Sequence, residues 1–214
     1  MNFFVTGTDT DVGKTFFTAL LVRTLRRAGI DAVGFKPVAC GNWGDVDALV
    51  AASDGAEPRE AVCPIHFSMP ASPLTASWAE QKKIDPARIF AAYEELNARH
   101  AMVVVEGIGG WRVPITADWS TAELAAALAL PVIVVVKNRI GAINHTLLTL
   151  EGIARCGLEC AGLVLNHFGA PRDPAAHSNR ATFEMLPMPR ILCELVEGQP
   201  ALDLASLGLP GVHA

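Results

Sequence analysis

The sequence predicts an α/β fold, a doubly wound and mostly parallel sheet flanked by helices. Short β-branched runs recur at residues 3–5, 31–35, 102–105, 132–136 and 161–165. Helical patterns alternate with them at 14–28, 46–52, 86–99, 121–128 and 143–155. Strands alternating with helices pack as a parallel sheet between helical layers. The runs at 102 and 132 are almost wholly apolar, as strands covered on both faces must be. Right-handed crossovers in such a sheet put ligands at the C-terminal strand ends. The segments that follow the strands are therefore where chemistry is expected.

Behind the first run, Phe3-Phe4-Val5, comes Thr6-Gly7-Thr8-Asp9-Thr10-Asp11-Val12-Gly13-Lys14-Thr15, and then Phe16-Phe17-Thr18-Ala19-Leu20-Leu21-Val22. Strand, small-residue loop, Gly-Lys-Thr and helix is the layout of a phosphate-binding P-loop, which makes the sheet one of P-loop NTPase type. Inward-facing N–H groups and a helix N-terminus favour an anion there. Lys14 would reach the outer phosphates of a nucleoside triphosphate, and the Thr15 hydroxyl would sit on Mg²⁺. The spacing departs from the usual pattern: Thr8 holds the first glycine's place, and Gly7 lies one residue earlier.

The second run leads into Lys36-Pro37-Val38-Ala39-Cys40-Gly41, read as a small-residue loop. A lysine there can neutralise a transferring phosphoryl group or hold an anionic substrate; equally, it can be a solvated strand-end lysine. Asp45 and Asp47 follow, and Mg²⁺ takes few protein oxygens. Asp45 suits a helix cap, which leaves Asp47, in the first turn, as the metal candidate. The third run ends in Glu106-Gly107-Ile108-Gly109-Gly110-Trp111. Glu106 fits a second acidic metal site facing the P-loop, with a bare turn as the alternative, and the glycines allow close backbone approach to a ligand.

Asp85-Pro86 is a cap followed by proline at the first helical position. Gly29 and Gly157 sit where helices end. After the fourth run, Lys137-Asn138-Arg139-Ile140-Gly141-Ala142-Ile143-Asn144-His145-Thr146 opens a helix whose N-terminus can face a carboxylate; His145 is read as structural. Asn166-His167 follows the fifth run. The Asn166 amide can match a purine edge or serve a turn. Residues 64–77 and 169–179 read as loops, and the last fifteen residues carry no clear signal.

At 214 residues, one domain spanning 1–214 is expected. Hydrophobic residues at 51% against 18% charged exclude a disordered chain. A net charge of −5 argues against nucleic acid or an anionic membrane as the main partner. Five irregularly spaced cysteines without C-x-x-C predict neither a disulfide framework nor a zinc site, and reduced thiols fit a cytosolic protein. There is no basic leader, and the longest apolar run, 124–136, contains Pro131 and falls short of the ~20 residues that span a bilayer. A soluble, cytoplasmic protein is expected.

These motifs, in this order, resemble the dethiobiotin synthetase family over most of the chain: the Thr6 to Thr15 segment with its displaced glycine, Lys36-Pro37-Val38, Asp47, Glu106-Gly107-Ile108-Gly109-Gly110-Trp111, and Ile143-Asn144-His145-Thr146-Leu147-Leu148-Thr149. The resemblance implies a homodimeric ligase that joins 7,8-diaminononanoate and CO₂ into the cyclic urea of dethiobiotin with ATP and Mg²⁺. It implies a carbamate, then a carbamic–phosphoric anhydride, then ring closure by the second amine. Lys14 and Lys36 would supply charge, and Thr10 would orient the carbamate. Thr15, Asp47 and Glu106 would hold the metal. Asp11, Val12, Gly13, Phe16, Gly107, Ile108, Gly109 and His167 would join Lys14, Thr15, Asp47 and Glu106 around the nucleotide, with Asn166 on adenine. Lys36, Cys40 and Gly110 would touch the diamine. The helix start at 141–146, with Ile143 and Asn144, would hold its carboxylate near the dimer interface.

Cys40 stands where the family usually has Ser, and a thiol is the weaker hydrogen-bond partner. Leu74 replaces a frequent His, and the Gly-x-x-Pro that helps enclose the base is absent from 192–196. A ParA-like switch ATPase would carry a second lysine five residues before Lys14, where this chain has Asp9. Relatives that amidate cobyrinate need a glutaminase domain with a nucleophilic Cys, for which 214 residues leave no room. A nucleotide-binding paralogue without the activity is disfavoured by the presence of Lys14, Thr15, Lys36, Asp47 and Glu106.

Overall fold

A computed structural model describes residues 1–168 and 173–209. The elements run β1 (Phe3–Gly7), α1 (Lys14–Arg27), β2 (Ala32–Phe35), β3 (Val38–Cys40), α2 (Gly44–Ala52), α3 (Arg59–Val62), β4 (Ile65–Phe67), α4 (Pro73–Ala79), α5 (Pro86–Arg99), β5 (Met102–Gly110), α6 (Thr121–Leu128), β6 (Val132–Lys137), α7 (Ala142–Arg155), β7 (Cys160–Asn166), α8 (Pro174–Met185), β8 (Ile191–Leu195) and α9 (Leu204–Leu207). Six strands form one parallel sheet in the order β2-β5-β1-β6-β7-β8. The strand order reverses direction at β1, and the crevice beyond such a switch point is where open α/β sheets bind ligands.

Both faces of the sheet are buried, which explains the uninterrupted apolar runs. Phe3, Val5, Val104, Ile133 and Val135 pack with Phe17 and Leu21 of α1 and Leu49 of α2. Their neighbours Phe4, Val103, Val105, Val132 and Val134 pack with Ile89 of α5, Leu124 of α6 and Phe183 of α8. Alternate residues of a strand point to opposite faces, so each face receives its own set. Each large apolar side chain so buried stabilises the fold by roughly 1.5–3 kcal/mol.

At the sheet edge, β2 is closed by side-chain and loop contacts and offers no free ladder to another chain. The Gly34 N–H donates to Ser53 Oγ at 3.2 Å, and the Lys36 N–H to the Val62 carbonyl at 2.8 Å. A Cβ on Gly34 would lie 3.0 Å from Leu49. This close approach brings the first turn of α2 over the end of β2, where the site begins.

All five strands and five helices expected from periodicity are present within one or two residues at each end, except that β5 continues to Gly110. Others escape it. The segment after Lys36 is a strand, β3, which pairs with β4 in a separate two-stranded sheet. Residues 64–77 therefore hold β4 and most of α4. Three-residue strands set off by Pro37 and Pro64 are too short for an alternation to register. The 169–179 stretch turns helical at Pro174, behind an Asp173 cap that accepts from Ala175 N–H at 2.9 Å; 169–172 lie outside the described residues. β8 is an edge strand with only two buried positions, so its pattern reads weakly. In the last fifteen residues α9 closes over the α1 side of the sheet, and 210–214 lie outside the described residues.

Helix α6 opens on a capping box, with Ser120 accepting from Ala122 N–H and Glu123 accepting from Ser120 N–H at 2.7 Å. The hydrogen bonds from Ser120 hold the Glu123 carboxyl down at about 2, against 4.5 ordinarily. Its folded value is depressed, so its contribution is present above pH 4.5 and is lost as pH falls toward 2. Ser120→Ala is expected to cost about 1 kcal/mol at pH 7 by urea denaturation. Its gap to wild type should close on acidification through that window; a gap constant with pH would remove Glu123 from the cap.

Candidate active site

The P-loop leaves β1 at Gly7, and its shape is set by crowding. A Cβ at Gly7 would lie 2.5 Å from Val12 Cγ2 and 2.9 Å from the Asp9 carbonyl. In this loop the residue under the turn is therefore the seventh, which accounts for the displaced glycine. Gly13 has φ 98°, and a Cβ there would lie 2.2 Å from Asn166 Nδ2. Only glycine satisfies both the backbone angle and the space. Lys14 folds back so that its Nζ donates to the Asp9 carbonyl at 3.0 Å.

A cleft of about 800 Å³ opens above the loop. Its walls include Thr10, Asp11, Gly13, Lys14, Thr15 and Phe16 from the loop and α1, Lys36, Val38, Ala39 and Cys40 from the β2–β3 passage, and Glu106, Ile108 and Gly109 from β5. Pro70, Ala71 and Ser72 close it from the segment ahead of α4, and Val113 from the loop after β5. A Cβ on Gly109 would lie 2.7 Å from Val113 and 3.3 Å from Thr10 Oγ1, so the two loops nearly touch at the mouth.

At the floor stands a buried charge cluster. Lys36 Nζ donates to Glu106 Oε1 and, at 2.9 Å, to Asp45 Oδ2. Thr15 Oγ1 donates to the same Glu106 oxygen at 2.7 Å. The Lys36 and Glu106 side chains are 5% and 0% exposed. Burial alone would lower the Lys36 pKa, but the Glu106 and Asp45 charges outweigh it and hold it well above the ordinary lysine value. Asp45 moves the other way, below the carboxylate range, because Lys36 and Thr15 outweigh its own burial. Lys14 lacks such a direct partner. Burial and repulsion from Lys36 bring it from 10.5 to about 8.

The contacts of helix α2 place the two candidate aspartates differently. Asp47 pairs with Arg59, 2.7 Å to Nη2, away from the cleft, and Asp45 faces it. Asp45 is no cap either: Trp43 is the N-cap residue, without a side-chain bond. Residues two apart on a helix point about 200° apart, so only one of the pair can face the site. Val46 and Leu49 are buried and set which. The carboxylates available beside Thr15 are thus Glu106 and Asp45.

Other expected residues are placed differently. Gly107 is buried, and a Cβ there would meet the Phe4 ring at 3.0 Å and Thr121 at 3.1 Å, so its smallness serves packing. Val12 is a core residue whose carbonyl accepts from Asn166 Nδ2 at 2.8 Å, while Asn166 Oδ1 accepts from Phe168 N–H. Asn166 therefore ties β7 to the P-loop from below, and it does not line the cleft. His167 Nε2 pairs with Glu194 at 2.6 Å on β8, where Arg180 also meets Glu194. Gly110 lies on the far side of the P-loop, against Asp9, in a second cleft with His145 and Thr149 of α7. Ile143 and Asn144 open α7 at the surface and line neither cleft.

The set Thr15, Asp45 and Glu106 fits a hard divalent cation. Glu106 Oε2 is buried with no hydrogen-bond partner, an orphan acceptor. Among the described residues no three acidic, His or Cys side chains gather as a protein-only metal cage. Two carboxylates and a hydroxyl are what Mg²⁺ takes when phosphates supply the rest.

Comparison with known proteins identifies the family. Residues 1–201 match a family described as an AAA domain. The ATP-dependent dethiobiotin synthetase BioD of Akkermansia muciniphila is 44% identical over 95% of each chain. That of Anaeromyxobacter dehalogenans (strain 2CP-C) is 49% identical over 86% of this chain and 84% of its own. The chain belongs to the dethiobiotin synthetase family. The fold is also that of the septum site-determining protein MinD from Pyrococcus horikoshii OT3, solved with Mg-ADP, at a TM-score of 0.57, 17% identity, and coverage of 97% of this chain and 86% of that one. In this dethiobiotin synthetase family member, Cys40 lines the cleft with its thiol pushed up to about 11 by burial, then by Glu80. Leu74 sits in α4 outside the cleft lining, and β8 occupies the stretch that lacks Gly-x-x-Pro. Sequence reading missed the Pro70–Ser72 wall and gave Asp45 to a helix cap; for the latter, the phase of α2 was the available signal.

Glu106→Gln would leave a buried ammonium with one half-exposed partner. Breaking such a pair costs about 3 kcal/mol, so urea unfolding at pH 7 should shift by that order; stability equal to wild type would show the pair to be energetically idle.

Proposed function

We propose that this chain is an ATP-dependent dethiobiotin synthase, closing 7,8-diaminononanoate and CO₂ into a cyclic urea. The observation that carries the reading is the convergence of two lysines, Lys14 and Lys36, on one cleft floor with Thr15, Asp45 and Glu106. Phosphoryl transfer asks for positioning and charge neutralisation more than for covalent catalysis, and this floor supplies both. A carbamate formed on one substrate amine would attack the γ-phosphorus with loss of ADP. The second amine would then attack the carbonyl of the resulting anhydride and expel phosphate.

In this reading Lys14 neutralises the β- and γ-phosphates, and Lys36 the transferring group and the carbamate. Thr10, at the mouth, orients the carbamate, while Cys40 and Val38 shape the wall for the diamine chain. Bound Mg²⁺, held by Thr15, Asp45 and Glu106, would draw charge from the phosphate oxygens. The α7 start, with Ile143 and Asn144, serves the substrate carboxylate only if a second copy brings it to the cleft. Support for a homodimer comes from exposed apolar side chains around it, Ile140 at 77% and Leu148 at 59%, since large exposed apolar groups in a patch mark contact surfaces. A cytoplasmic location is in keeping with the described helices, none of which is long and apolar enough to cross a membrane.

The direct test is mass spectrometry of purified protein with diaminononanoate, bicarbonate, Mg²⁺ and ATP. Dethiobiotin with phosphate release is the expected product, and folded, ATP-binding protein that makes none would overturn the proposal. Lys14→Gln and Lys36→Gln should each lower kcat by about 10²-fold or more; near-normal turnover in either removes that lysine from its role. Because Lys14 titrates near 8, its charge is lost as pH rises through that value. An anionic nucleotide needs the charge, so ATP affinity should fall about tenfold from pH 7 to pH 9. Binding at pH 9 should take up close to one proton, read as a buffer-dependent enthalpy in titration calorimetry. A buffer-independent enthalpy would contradict the assignment.

A further inference from the structure

We propose that Glu80 is a positioning residue for the diamine: its carboxylate holds the turn at 69–71 in place and so sets the wall that the substrate chain meets. The substrate half of this rests on the synthase reading above; the tether does not. The turn lies between β4 and α4, where Met69 and Pro70 are exposed and Ala71 and Ser72 are half-buried. The Ala71 N–H donates to the Met69 carbonyl at 2.9 Å, which closes a three-residue turn with proline at its centre. The fixed φ of proline suits that turn, so the segment is stiff and moves as a unit. What its neighbours must settle is where the unit stands.

Three contacts do so. Pro70 stands close to Gly41, which has φ 96° and where a Cβ would lie 3.3 Å from Pro70 Cβ. Lys82 Nζ donates to the His66 carbonyl at 2.6 Å and lies 5.2 Å from the centre of the Phe67 ring, which anchors the end of β4. The Met69 N–H then donates to Glu80 Oε1 at 2.8 Å, eleven residues along the chain. Among the described residues no other side chain hydrogen-bonds the backbone of 68–72. Glu80 closes α4, and Gln81 behind it is left-handed at φ 51°. After burial, the Glu80 charge is also what raises the Cys40 thiol, so the carboxylate stands near the wall that Cys40 shares with Pro70 and Ala71. The two sides of the cleft divide the ligands. Lys14 and Thr15 serve the phosphates, whereas Val38, Ala39, Pro70 and Ala71 offer apolar atoms to the methylenes of a diamine. A turn that drifts outward should therefore weaken the diamine and leave the nucleotide alone.

The test compares wild type, Glu80→Ala and Glu80→Gln by steady-state phosphate release and by hydrogen exchange of the peptide that contains Met69. Glutamine keeps a carbonyl oxygen for the Met69 N–H and drops the charge; alanine drops both. In Glu80→Ala the Met69 peptide should exchange severalfold faster. The KM for diaminononanoate should rise about fivefold, the worth of roughly one lost methylene contact, with kcat and the KM for ATP within about twofold of wild type. Glu80→Gln should stay within about twofold of wild type in every readout. Unchanged exchange in Glu80→Ala would show the tether to be idle and overturn the proposal. Faster exchange with an unchanged diamine KM would overturn it too, and so would an equal rise in the KM for ATP. A glutamine variant that behaves like alanine would assign the effect to charge and sink the positioning role. Wild type that makes no dethiobiotin takes down the synthase reading and the diamine's place on this wall together, a failure told apart from the others because it needs no variant.

Discussion

The ion pair between Lys36 and Glu106 sets the terms for the nucleotide end of this protein. Both residues follow the last registered pair of β2 and β5, Phe35 opposite Val105, so strand register alone brings them side by side. Taking two charges out of water is costly unless geometry and further hydrogen bonds compensate. Here Thr15 and Asp45 do so, one from the P-loop helix and one from α2. The demand propagates outward. For Asp45 to arrive, α2 must lie close on β2, and that closeness needs Gly34. For Thr15 to arrive, the P-loop must turn tightly enough to start α1 within hydrogen-bond reach of Glu106. A change in any of these contacts is therefore felt first as an uncompensated charge at the cleft floor.

Much of the fold was legible because its cause is local. A strand buried on both faces must be apolar at every position, and runs such as Val132 to Val136 announce themselves. The site was legible at Lys14, Thr15, Lys36 and Glu106 because each sits at a fixed step from a strand end. It was not legible at Asp45 and Asp47, where the answer depends on rotation about a helix axis set by Val46 and Leu49 packing on the sheet. Nor was it legible at Asn166, whose amide could equally face a base or a backbone until the position of Val12 is known. Gly107 misled for a related reason: glycine signals close approach without saying what approaches, and here it is the Phe4 ring. Strands β3 and β4, three residues each, leave no periodic trace at all.

The P-loop shows how a motif can shift in sequence while its physics is kept. The loop needs one residue without a Cβ beneath the turn and one with left-handed backbone ahead of the lysine. Gly7 and Gly13 meet these needs, and Asn166 presses on the second from the neighbouring strand. The pattern that defines the loop is thus a set of close approaches, of which the spacing of the letters is a by-product.

Cys40 sits in the wall of a cleft that handles activated phosphate, where a sulfur nucleophile would look like a hazard. Burial keeps the thiol near 11, so at pH 7 only about one molecule in ten thousand carries the thiolate that peroxides and alkylating agents attack. The exchange of hydroxyl for thiol at this position therefore puts little thiolate beside the activated phosphate. A cysteine-directed covalent inhibitor designed for this cleft would meet a thiol that its burial makes a poor nucleophile at pH 7.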